Sequence, residues 1–426
     1  MKLSEDWRRR GLIYQVTDEA VLDQLDAGSV TAYIGFDPTA SSLHLGSLMQ
    51  ICSLRRLQLA GNAPIALAGG GTGLIGDPSF KDAERPLLDA DTIGANVEAI
   101  GRQLARFLDF TPDGGPARAQ LLDNAEWLTR IPLTDFLRDV GKHVTVNQMV
   151  AKEAVRVRLE REDVGLSFTE FTYMLLQGYD FVRLNLDHGC TLQLGGSDQW
   201  GNITLGAEIV RKMTGHAAYG LTSPLILRAD GTKFGKTASG DNVWLDAART
   251  SPFAMHQFFL NCDDVVTGTL LRFVTFVDHD TLAELDEATE SHPERRAAQR
   301  RLADEVVTLV HGPAAAARAR RAGEALFSEA IAELDEATLL EAVADAPSSN
   351  WPRAEVAVGV DPVELVVRTG LARSKGEARR FLDQGGVYVN NARVAPTDLV
   401  GVADALHDRY LVVRRGRHQL HLVVLV

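Results

Sequence analysis

Residues 36–47 form the first of two short polar segments that are well suited to hold phosphate. The segment joins Phe-Asp-Pro-Thr to His-Leu-Gly-Ser, between an apolar run and a helical pattern. Backbone N–H groups at the start of a helix attract anions, and Thr39 and His44 add side-chain donors. Gly46 has no Cβ, so a flat base could lie close to the backbone. An ordinary capped helix with one histidine explains this segment equally well on its own.

The second polar segment, residues 233–237, reads Lys-Phe-Gly-Lys-Thr and lies about 190 residues further along the chain. Lys233 and Lys236 carry ammonium groups that could clamp a charged leaving group as it forms. A solvated surface turn is the alternative for an isolated pair of lysines. Taken together, the two segments predict a site that holds a nucleoside triphosphate from two sides.

A third segment, residues 71–76, reads Gly-Thr-Gly-Leu-Ile-Gly and fits the glycine pattern of dinucleotide-binding proteins. A dinucleotide site also needs a second strand that ends in Asp or Glu about 20 residues later. Residues 92–107 have a helical pattern instead. The sequence therefore argues against a nucleotide-dependent oxidoreductase, which stays open as an alternative.

The elements that must position these segments alternate between strand and helix. Strands are predicted at 31–36, 64–68 and 120–124, and helices at 43–59 and 95–107. The strand at 64–68 is apolar throughout, as expected in a buried parallel sheet. The alternation continues to about residue 220 and predicts an α/β domain with a parallel sheet.

The sequence changes character after residue 250. Residues 251–327 are rich in Ala, Arg, Glu and Leu and are predicted to be mostly helical. Residues 344–362 contain three prolines, two serines and one glycine, a composition that predicts a linker. Residues 362–426 are then predicted to form a small α/β unit.

The composition is that of a globular protein with more than one domain. The chain has 426 residues, of which 45% are hydrophobic and 24% are charged. No uninterrupted run of about 18 apolar residues occurs, and the start of the chain is polar and basic, so neither a membrane span nor a secretory signal is predicted. Cys52, Cys190 and Cys262 are scattered and predict neither a disulfide framework nor a metal cluster.

The charge is unevenly distributed along the chain. A net charge of −13 argues against non-specific nucleic-acid binding by the whole surface. Residues 351–426, however, contain 11 Lys and Arg against 8 Asp and Glu, which gives +3. A basic end on an acidic body permits local contact with a polyanion, although a merely solvated surface would carry the same charge.

Almost the whole sequence resembles the bacterial tyrosyl-tRNA synthetases, which are class I aminoacyl-tRNA synthetases. Residues 36–47 are similar to the "HIGH" motif of this family, and residues 233–237 are similar to its "KMSKS" loop. Three more blocks agree with the family and follow its order: residues 73–79, 167–180 and 193–202. Each block alone is weak, whereas five blocks in order are a strong signal.

The resemblance implies a set of tyrosine-binding residues: Tyr33, Asp77, Tyr173, Gln177, Asp180 and Gln199. In the family, the positions that match Tyr173, Gln177 and Asp77 hold the α-ammonium group of the substrate tyrosine. The positions that match Tyr33 and Asp180 form hydrogen bonds with its phenolic hydroxyl group. Tyr173, Gln177 and Asp180 are spaced by four and three residues, so they share one face of a helix. An amphipathic helix whose polar residues face solvent is the alternative.

The resemblance also implies two sets of residues around the nucleotide. The ATP-lining set is Gly35, Asp37, Gly46, Ser47, Gly196, Asp198 and Lys236. The catalytic set is Thr39, His44, Lys81, Arg85, Lys233, Lys236 and Thr237. Lys81 and Arg85 would approach the pyrophosphate from the side opposite the lysine segment, with a solvated helix start as the alternative.

One departure from the family's pattern matters: Ser47 replaces the second histidine of the "HIGH" motif. Serine still donates and accepts hydrogen bonds, but it is shorter and cannot carry charge. We expect a changed rate or nucleotide affinity, with the reaction retained. A non-catalytic RNA-binding protein that kept the synthetase shell is the alternative that Ser47 supports.

The implied reaction has two steps at one site. The tyrosine carboxylate attacks the α-phosphorus of ATP and expels pyrophosphate, and the adenylate then passes tyrosine to the 3′ end of tRNA(Tyr). ATP is a substrate, Mg²⁺ accompanies it without a metal site of the protein's own, and no bound organic cofactor is expected. The rate is expected to come from positioning and from donors aimed at developing charge.

The end of the chain resembles an RNA-binding fold of the ribosomal-protein S-four type. The implied RNA-binding residues lie on one predicted helix and are Arg373, Lys375, Arg379 and Arg380. Such a patch contacts phosphates and gives affinity more than sequence readout. A solvated basic helix is the alternative.

The predicted fold class is α/β: a Rossmann-like parallel-sheet catalytic domain, an α-helical domain and a small α+β RNA-binding domain. The expected boundaries are 1–225 for the catalytic domain, 226–330 for the lysine segment and anticodon-side helices, 331–360 for the linker and 361–426 for the RNA-binding domain. A cytoplasmic homodimer without membrane contact is expected. A tryptophan enzyme of the same class is the nearest alternative, against which Tyr33 and Asp180 argue.

Overall fold

The computed structural model describes residues 1–77, 88–160, 165–227, 232, 234–235, 240–326, 328–344, 346–416 and 419–426. Five predicted site residues lie outside the described residues: Lys81, Arg85, Lys233, Lys236 and Thr237.

Strands and helices alternate to Ser223, close to the predicted limit of about residue 220. The strands are β1 (Gln15–Val16), β2 (Thr31–Phe36), β3 (Ala63–Ala68), β4 (Gln120–Asp123), β5 (Leu192–Gly196) and β6 (Tyr219–Ser223). The helices are α1 (Leu3–Arg10), α2 (Ala20–Asp26), α3 (Leu45–Leu59), α4 (Ala90–Leu104), α5 (Ala125–Leu128), α6 (Leu133–Asp135), α7 (Val146–Val150), α8 (Glu153–Leu159), α9 (Phe168–His188) and α10 (Trp200–Thr214).

The remainder of the chain begins with helices and ends in a second sheet. The helices are α11 (Pro252–Leu260), α12 (Asp264–Val274), α13 (His279–Ser291), α14 (Ala297–His311), α15 (Pro313–Ala325), α16 (Glu336–Ala342), α17 (Arg353–Ala357), α18 (Pro362–Arg368) and α19 (Lys375–Asp383). The strands are β7 (Ser348–Trp351), β8 (Val387–Val389), β9 (Ala392–Arg393), β10 (Tyr410–Arg415) and β11 (Gln419–Leu425).

The first sheet has six strands in the order β1-β6-β5-β2-β3-β4. All neighbours are parallel except β1, which runs antiparallel to β6. Every residue of β5 is buried, and β3 is buried from Pro64 onward, as expected of strands covered on both faces. The parallel-sheet α/β fold class, followed by helices and a small α+β part, is confirmed.

The chain divides into two compact units that interleave in sequence. The first comprises residues 1–250 and 262–302, and the second comprises residues 251–261 and 303–426. The first unit contains the parallel sheet. In the second, helical side chains such as Phe253 and Leu339 form one hydrophobic cluster with Tyr410, Val412 and Leu422 of the C-terminal sheet. The helices and the C-terminal sheet of this unit therefore share a core.

Residues 344–362 differ from the linker that the sequence predicts. Residues 348–351 form β7, which pairs in parallel with β11 at the edge of the C-terminal sheet, and α17 follows directly. Trp351 is buried in the core of this sheet. Proline is tolerated directly after a strand and at the start of a helix. Pro352 therefore marks the boundary between two elements rather than an unstructured stretch.

The basic helix near the C-terminus begins later than the sequence predicts. Helix α19 starts at Lys375, and Ser374 is its N-cap, accepting a hydrogen bond from the Glu377 backbone N–H. Arg373 therefore lies in the preceding turn, with its own backbone N–H bonded to the Glu377 carboxylate. The Ser-x-x-Glu pattern of a helix start explains this boundary.

No described helix combines the length and the apolar character that a membrane crossing requires.

Candidate active site

Several of the described site residues lie at the carboxyl ends of the parallel strands. Asp37 follows β2, and Asp198 follows β5, which lies next to β2 in the sheet. The chain leaves β2 toward β3 on one side, whereas β5 and β6 lie on the other side, so strand order reverses between β2 and β5. Ligands of open parallel sheets bind at such a point of reversal.

His44 is the N-cap of α3 and lies at a short bridge between two chain segments. Its Nδ1 accepts a hydrogen bond of 3.0 Å from the Gly46 backbone N–H. The backbone N–H groups of Leu45 and Leu245 donate to the carbonyl oxygens of Val243 and Leu43, so residues 43–45 pair with 243–245. The imidazole packs edge-on against the Trp244 ring, with centroids 6.0 Å apart. The histidine is therefore held from both sides.

Gly46 is required where it stands because of His44. A Cβ added to Gly46 would lie 2.7 Å from Cε1 of His44, which is closer than carbon atoms approach without displacement. The sequence predicts that this glycine makes room for a flat base. The structure adds that it also makes room for the imidazole ring.

The described centre of the lysine segment lies next to the start of α3. A Cβ added to Gly235 would lie 3.5 Å from the backbone nitrogen of Gly46. Phe234 donates its backbone N–H to Ile226, and Gly235 accepts from Val243, so these two residues are anchored at both sides. Residues 234–235, which belong to the segment singled out in the sequence, therefore meet the segment that contains His44.

Tyr33 and Asp180 define a buried polar pair in the core of the first unit. Tyr33 on β2 is 1% exposed and Asp180 on α9 is 3% exposed. Burial, and then the charge of Asp180, raise the pKa of the Tyr33 phenol well above its ordinary value. Among the described residues, the Tyr33 hydroxyl has no hydrogen-bond partner, an arrangement that is costly unless a ligand supplies one.

Asn124 and Trp127 hold the carboxylate of Asp180, and the sequence analysis did not find them. Trp127 donates its Nε1–H to Oδ1 at 2.7 Å, and Asn124 donates from Nδ2 to Oδ2 at 2.9 Å. Burial raises the pKa of Asp180 to about 7, although these two donors act in the opposite direction. A signal existed in the sequence, because Asn124 directly follows a strand end, where polar residues commonly face a ligand.

The glycine pattern at residues 71–76 supports Asn124 rather than a dinucleotide. The backbone N–H groups of Gly71 and Thr72 both donate to Oδ1 of Asn124, at 2.8 Å and 3.3 Å. Asn124 in turn donates to the Thr72 hydroxyl. These two N–H groups donate to a side chain of the protein, so they are not free to bind the phosphate of a dinucleotide.

Tyr173 on α9 lies among three carboxylates, those of Asp37, Asp77 and Asp180. Its side chain is 5% exposed, and its hydroxyl donates to Oδ1 of Asp37 at 3.4 Å. Burial, followed by the charges of Asp37, Asp77 and Asp180, raises the pKa of this phenol well above its ordinary value. Carboxylates grouped around a buried phenol favour a cationic ligand group.

Gln177, Gln199 and Asp77 form one hydrogen-bonded network next to Tyr173. Gln199 donates from Nε2 to the Asp77 carboxylate at 2.8 Å, and Gln177 donates from Nε2 to Oε1 of Gln199 at 3.3 Å. Asn202, a third residue that the sequence analysis missed, donates from Nδ2 to both glutamines. The structure thus brings together all six residues of the predicted tyrosine-binding set.

Among the described members of the predicted nucleotide sets, Asp37 contacts the tyrosine-binding set directly, through the Tyr173 hydroxyl. Gly35 and Thr39 are exposed, and Asp37, Ser47 and Asp198 are half-buried. The backbone N–H of Ser47 donates to the carbonyl oxygen of His44. A Cβ on Gly196 would lie 2.7 Å from Oδ1 of Asp198, so glycine is needed there for close approach. Among the described residues, no group of three His, Cys, Asp or Glu side chains could hold a metal ion.

The predicted RNA-binding residues belong to the second unit. All four are exposed, and Lys375, Arg379 and Arg380 are on α19. Glu377 lies 4.0 Å from Arg380, an exposed contact of little energetic weight.

Two family models together match most of the chain. Residues 25–328 match the model for class I tRNA synthetases (W and Y), and residues 339–423 match the model for the tyrosine–tRNA ligase SYY-like C-terminal domain.

Curated relatives match the chain from end to end. A tyrosine–tRNA ligase of Roseiflexus castenholzii is 52% identical, with 99% of each chain covered. A tyrosine–tRNA ligase of Geobacillus stearothermophilus is 47% identical, again with 99% of each chain covered. Because the first family model includes tryptophan enzymes, it is these relatives that distinguish the tyrosine branch.

Solved structures agree with the sequence comparisons. A C-terminally truncated mitochondrial tyrosyl-tRNA synthetase of Aspergillus nidulans has a TM-score of 0.67 and 31% identity, and the match covers 76% of this chain and 94% of that one. The chain therefore belongs to the tyrosine–tRNA ligases, a family of class I aminoacyl-tRNA synthetases, and the oxidoreductase and tryptophan alternatives are wrong.

Proposed function

We propose that L-tyrosine binds with its phenolic hydroxyl group between Tyr33 and Asp180, and with its α-ammonium group against Tyr173, Gln177 and Asp77. The main support is the buried hydroxyl of Tyr33, which has no partner among the described residues and lies beside the buried carboxylate of Asp180. Tyrosine would supply the missing partner, whereas phenylalanine would leave the buried Tyr33 hydroxyl unpaired and would offer Asp180 no donor. Amino-acid-dependent pyrophosphate exchange tests this assignment, and exchange with phenylalanine at a comparable rate would contradict it.

We further propose that ATP lies over the strand ends next to the start of α3. Thr39, His44 and Gly46 face ATP from one side. The lysine segment, residues 233–237, faces it from the other. The tyrosine carboxylate attacks the α-phosphorus and pyrophosphate leaves, while donors on both sides stabilise the charge that develops. Lys81, Arg85, Lys233, Lys236 and Thr237 are proposed to contact the pyrophosphate. Mg²⁺ enters with ATP and keeps most of its ligands from water and phosphate.

His44→Ala is expected to slow tyrosyl-adenylate formation by about 10²–10³-fold, because one donor to the developing charge is lost. Tyrosine affinity should change little, since His44 lies at the nucleotide end of the site. Stopped-flow measurement of single turnovers separates the two quantities. Lys236→Ala is expected to behave in the same way.

His44 also caps α3, so the variant needs a control for lost helix stability. Asparagine is a good N-cap residue, and His44→Asn should keep the helix start while removing the imidazole. If His44→Asn restores the full rate, the histidine acts only as a cap and the proposed catalytic role is wrong.

We propose that residues 1–225 bind tyrosine and ATP, that residues 226–330 carry the lysine segment and helices facing the anticodon, and that residues 361–426 bind tRNA(Tyr). The support for the last assignment is the group of exposed basic residues at α19 on an otherwise acidic chain. Deleting this part at Trp351 would be a poor test, because the cut removes the strands that share a core with the helices of the second unit. Point variants are therefore preferable.

The double variant Arg379→Ala, Arg380→Ala is expected to weaken tRNA binding and to leave adenylate formation unchanged. Each lost phosphate contact should also reduce the salt dependence of binding by about one unit in the logarithmic slope. Filter binding at several salt concentrations measures both effects. Arg102→Ala, which removes an exposed arginine of α4, is the matched control. Equal effects from both variants would contradict the assignment.

We also propose that the protein works as a cytoplasmic homodimer. Exposed apolar side chains occur repeatedly between residues 133 and 168, namely Leu133, Leu137, Val146, Val150, Leu159 and Phe168. We propose that these side chains form one exposed apolar patch, since large contiguous patches of this kind mark protein interfaces. Sedimentation equilibrium should give twice the mass of the chain, and a monomer at micromolar concentration would contradict this proposal.

A further inference from the structure

Asn202 contacts both glutamines of the tyrosine pocket and is itself buried. Its side chain is 6% exposed. Its Nδ2 group lies 3.1 Å from Oε1 of Gln177 and 3.1 Å from Oε1 of Gln199. One amide group therefore uses both of its hydrogen atoms to fix two neighbouring amides, and it takes no part in the tyrosine-binding set derived above.

The carboxylate of Asp77 determines which atom of each amide in this network donates and which accepts. Asp77 can only accept when ionised, so the Gln199 atom facing it must be the amide nitrogen. The Gln199 oxygen then faces Asn202 and Gln177, both of which must present nitrogen to it. Asn202 consequently directs its second N–H at the Gln177 oxygen. The orientation of Gln177 is thereby set from two sides.

The close packing of α9 on α10 keeps these atoms together. A Cβ added to Gly178 would lie 3.6 Å from the Gly206 Cα and 2.5 Å from Cδ1 of Ile209. Gly178 directly follows Gln177 on α9, and Gly206 lies one turn after Asn202 on α10. The two helices therefore approach closely just where the amides meet, and the amide geometry depends on rigid elements rather than on loops.

We propose that Asn202 is a positioning residue that keeps the Gln177 oxygen, and not its nitrogen, available to the α-ammonium group of tyrosine. An ammonium group has three donors and no acceptor, so it needs oxygen atoms around it. If Gln177 turned over, its NH₂ group would face the cation and repel it. This inference rests on the proposed role of Gln177 in binding the ammonium group.

The test compares two tyrosine analogues whose binding requires no reaction. Tyrosinol keeps the ammonium group, and 3-(4-hydroxyphenyl)propionate lacks it. Asn202→Ala is expected to raise the inhibition constant of tyrosinol about tenfold, the effect of losing one hydrogen bond to a charged group. The constant for the propionate should change less than about twofold, because that ligand makes no ammonium contact.

Two further variants sharpen the comparison. Asn202→Asp has nearly the same shape but places carboxylate oxygens against two amide oxygens, so tyrosinol should bind more weakly than to Asn202→Ala. Thr204→Ala, two residues away on α10, is the matched control; the Thr204 hydroxyl bonds the Trp200 carbonyl oxygen within the helix, and both constants should stay near those of the unaltered protein.

The outcomes separate this inference from the proposed function. If Asn202→Ala weakens both analogues equally, the residue has a general structural role and the inference is wrong. Gln177→Ala is the reference variant, and it should weaken tyrosinol selectively. If Gln177→Ala fails to do so, the proposed ammonium site itself is wrong. If it succeeds while Asn202→Ala leaves both constants unchanged, only the positioning role fails.

Discussion

Asp180→Asn is expected to remove most of the preference for tyrosine over phenylalanine, by lowering kcat/KM for tyrosine activation at least about 100-fold. Both carboxylate oxygens of Asp180 accept hydrogen bonds, from Trp127 and from Asn124. An asparagine would have to place its NH₂ group against one of these donors. The buried network would then lose a hydrogen bond and the charge that the substrate hydroxyl faces. Pyrophosphate exchange with each amino acid measures the change.

Phenylalanine provides the internal comparison for this variant, because its activation should change less than about tenfold. Asp187→Asn is the matched control on the same helix, where the carboxylate is exposed and pairs with Arg183. It should leave the activation of both amino acids unchanged. An equal loss for tyrosine and phenylalanine in Asp180→Asn would indicate general damage to the pocket and would contradict the assigned role.

The pH dependence gives Asp180 a second, independent readout. Burial raises its pKa to about 7 from an ordinary value of 3.8. The folded protein therefore binds one more proton than the unfolded chain between these two values, so the contribution of Asp180 to stability is lost as pH rises through about 7. Tyrosine binding should strengthen over the same rise, because the ionised carboxylate is the better acceptor. Asp180→Asn should lack both effects.

The residues proposed to contact tyrosine could be predicted from the sequence, because their spacing follows the element that carries them. Tyr173, Gln177 and Asp180 share a face of α9, and β2 ends just before Asp37, as the strand prediction required. Five motif blocks then linked these positions to a family. The strand that ends before Asp37 and the helix that carries Tyr173, Gln177 and Asp180 both form where the sequence predicts them.

The residues that hold the proposed tyrosine-binding groups in place could not be predicted in the same way. Trp127 and Asn124 lie more than 50 residues from Asp180, and Asn202 lies 25 residues from Gln177. Their roles depend on which strands pair and on how closely α9 and α10 pack. A hydrophobic pattern reports which face of an element is buried, but it does not report which polar side chains meet across two elements.

The difference between the predicted linker and the elements found at residues 344–362 has a related cause. Proline and serine between residues 344 and 362 predict irregular structure from local preference alone. The pairing of β7 with β11 joins residues about 74 apart, and burial of Trp351 stabilises an edge strand that its own sequence does not favour. Tertiary packing outweighs strand propensity in such cases.

Arg56→Met is expected to lower the free energy of unfolding by about 3–5 kcal/mol, the cost of breaking a buried charged network. Arg56 is 5% exposed, and burial lowers its pKa to about 10, so it remains charged at neutral pH. Its guanidinium group donates to the carbonyl oxygens of Arg272, Phe273 and Thr275, at the end of α12. Methionine fills similar space but leaves these carbonyl groups without the donor.

Arg10 acts beside Arg56, because it donates to the carbonyl oxygens of Arg272 and Val277 and pairs with Asp6. The two arginines share the Arg272 carbonyl and the Asp6 carboxylate. The double variant Arg10→Met, Arg56→Met should therefore lose less stability than the sum of the losses in the two single variants. Urea denaturation gives these free energies. Arg102→Met, at an exposed arginine of α4, should change stability by less than about 0.5 kcal/mol. If Arg56→Met changed stability as little as Arg102→Met, water would be satisfying the carbonyl groups at the end of α12 and the assigned role of Arg56 would be wrong.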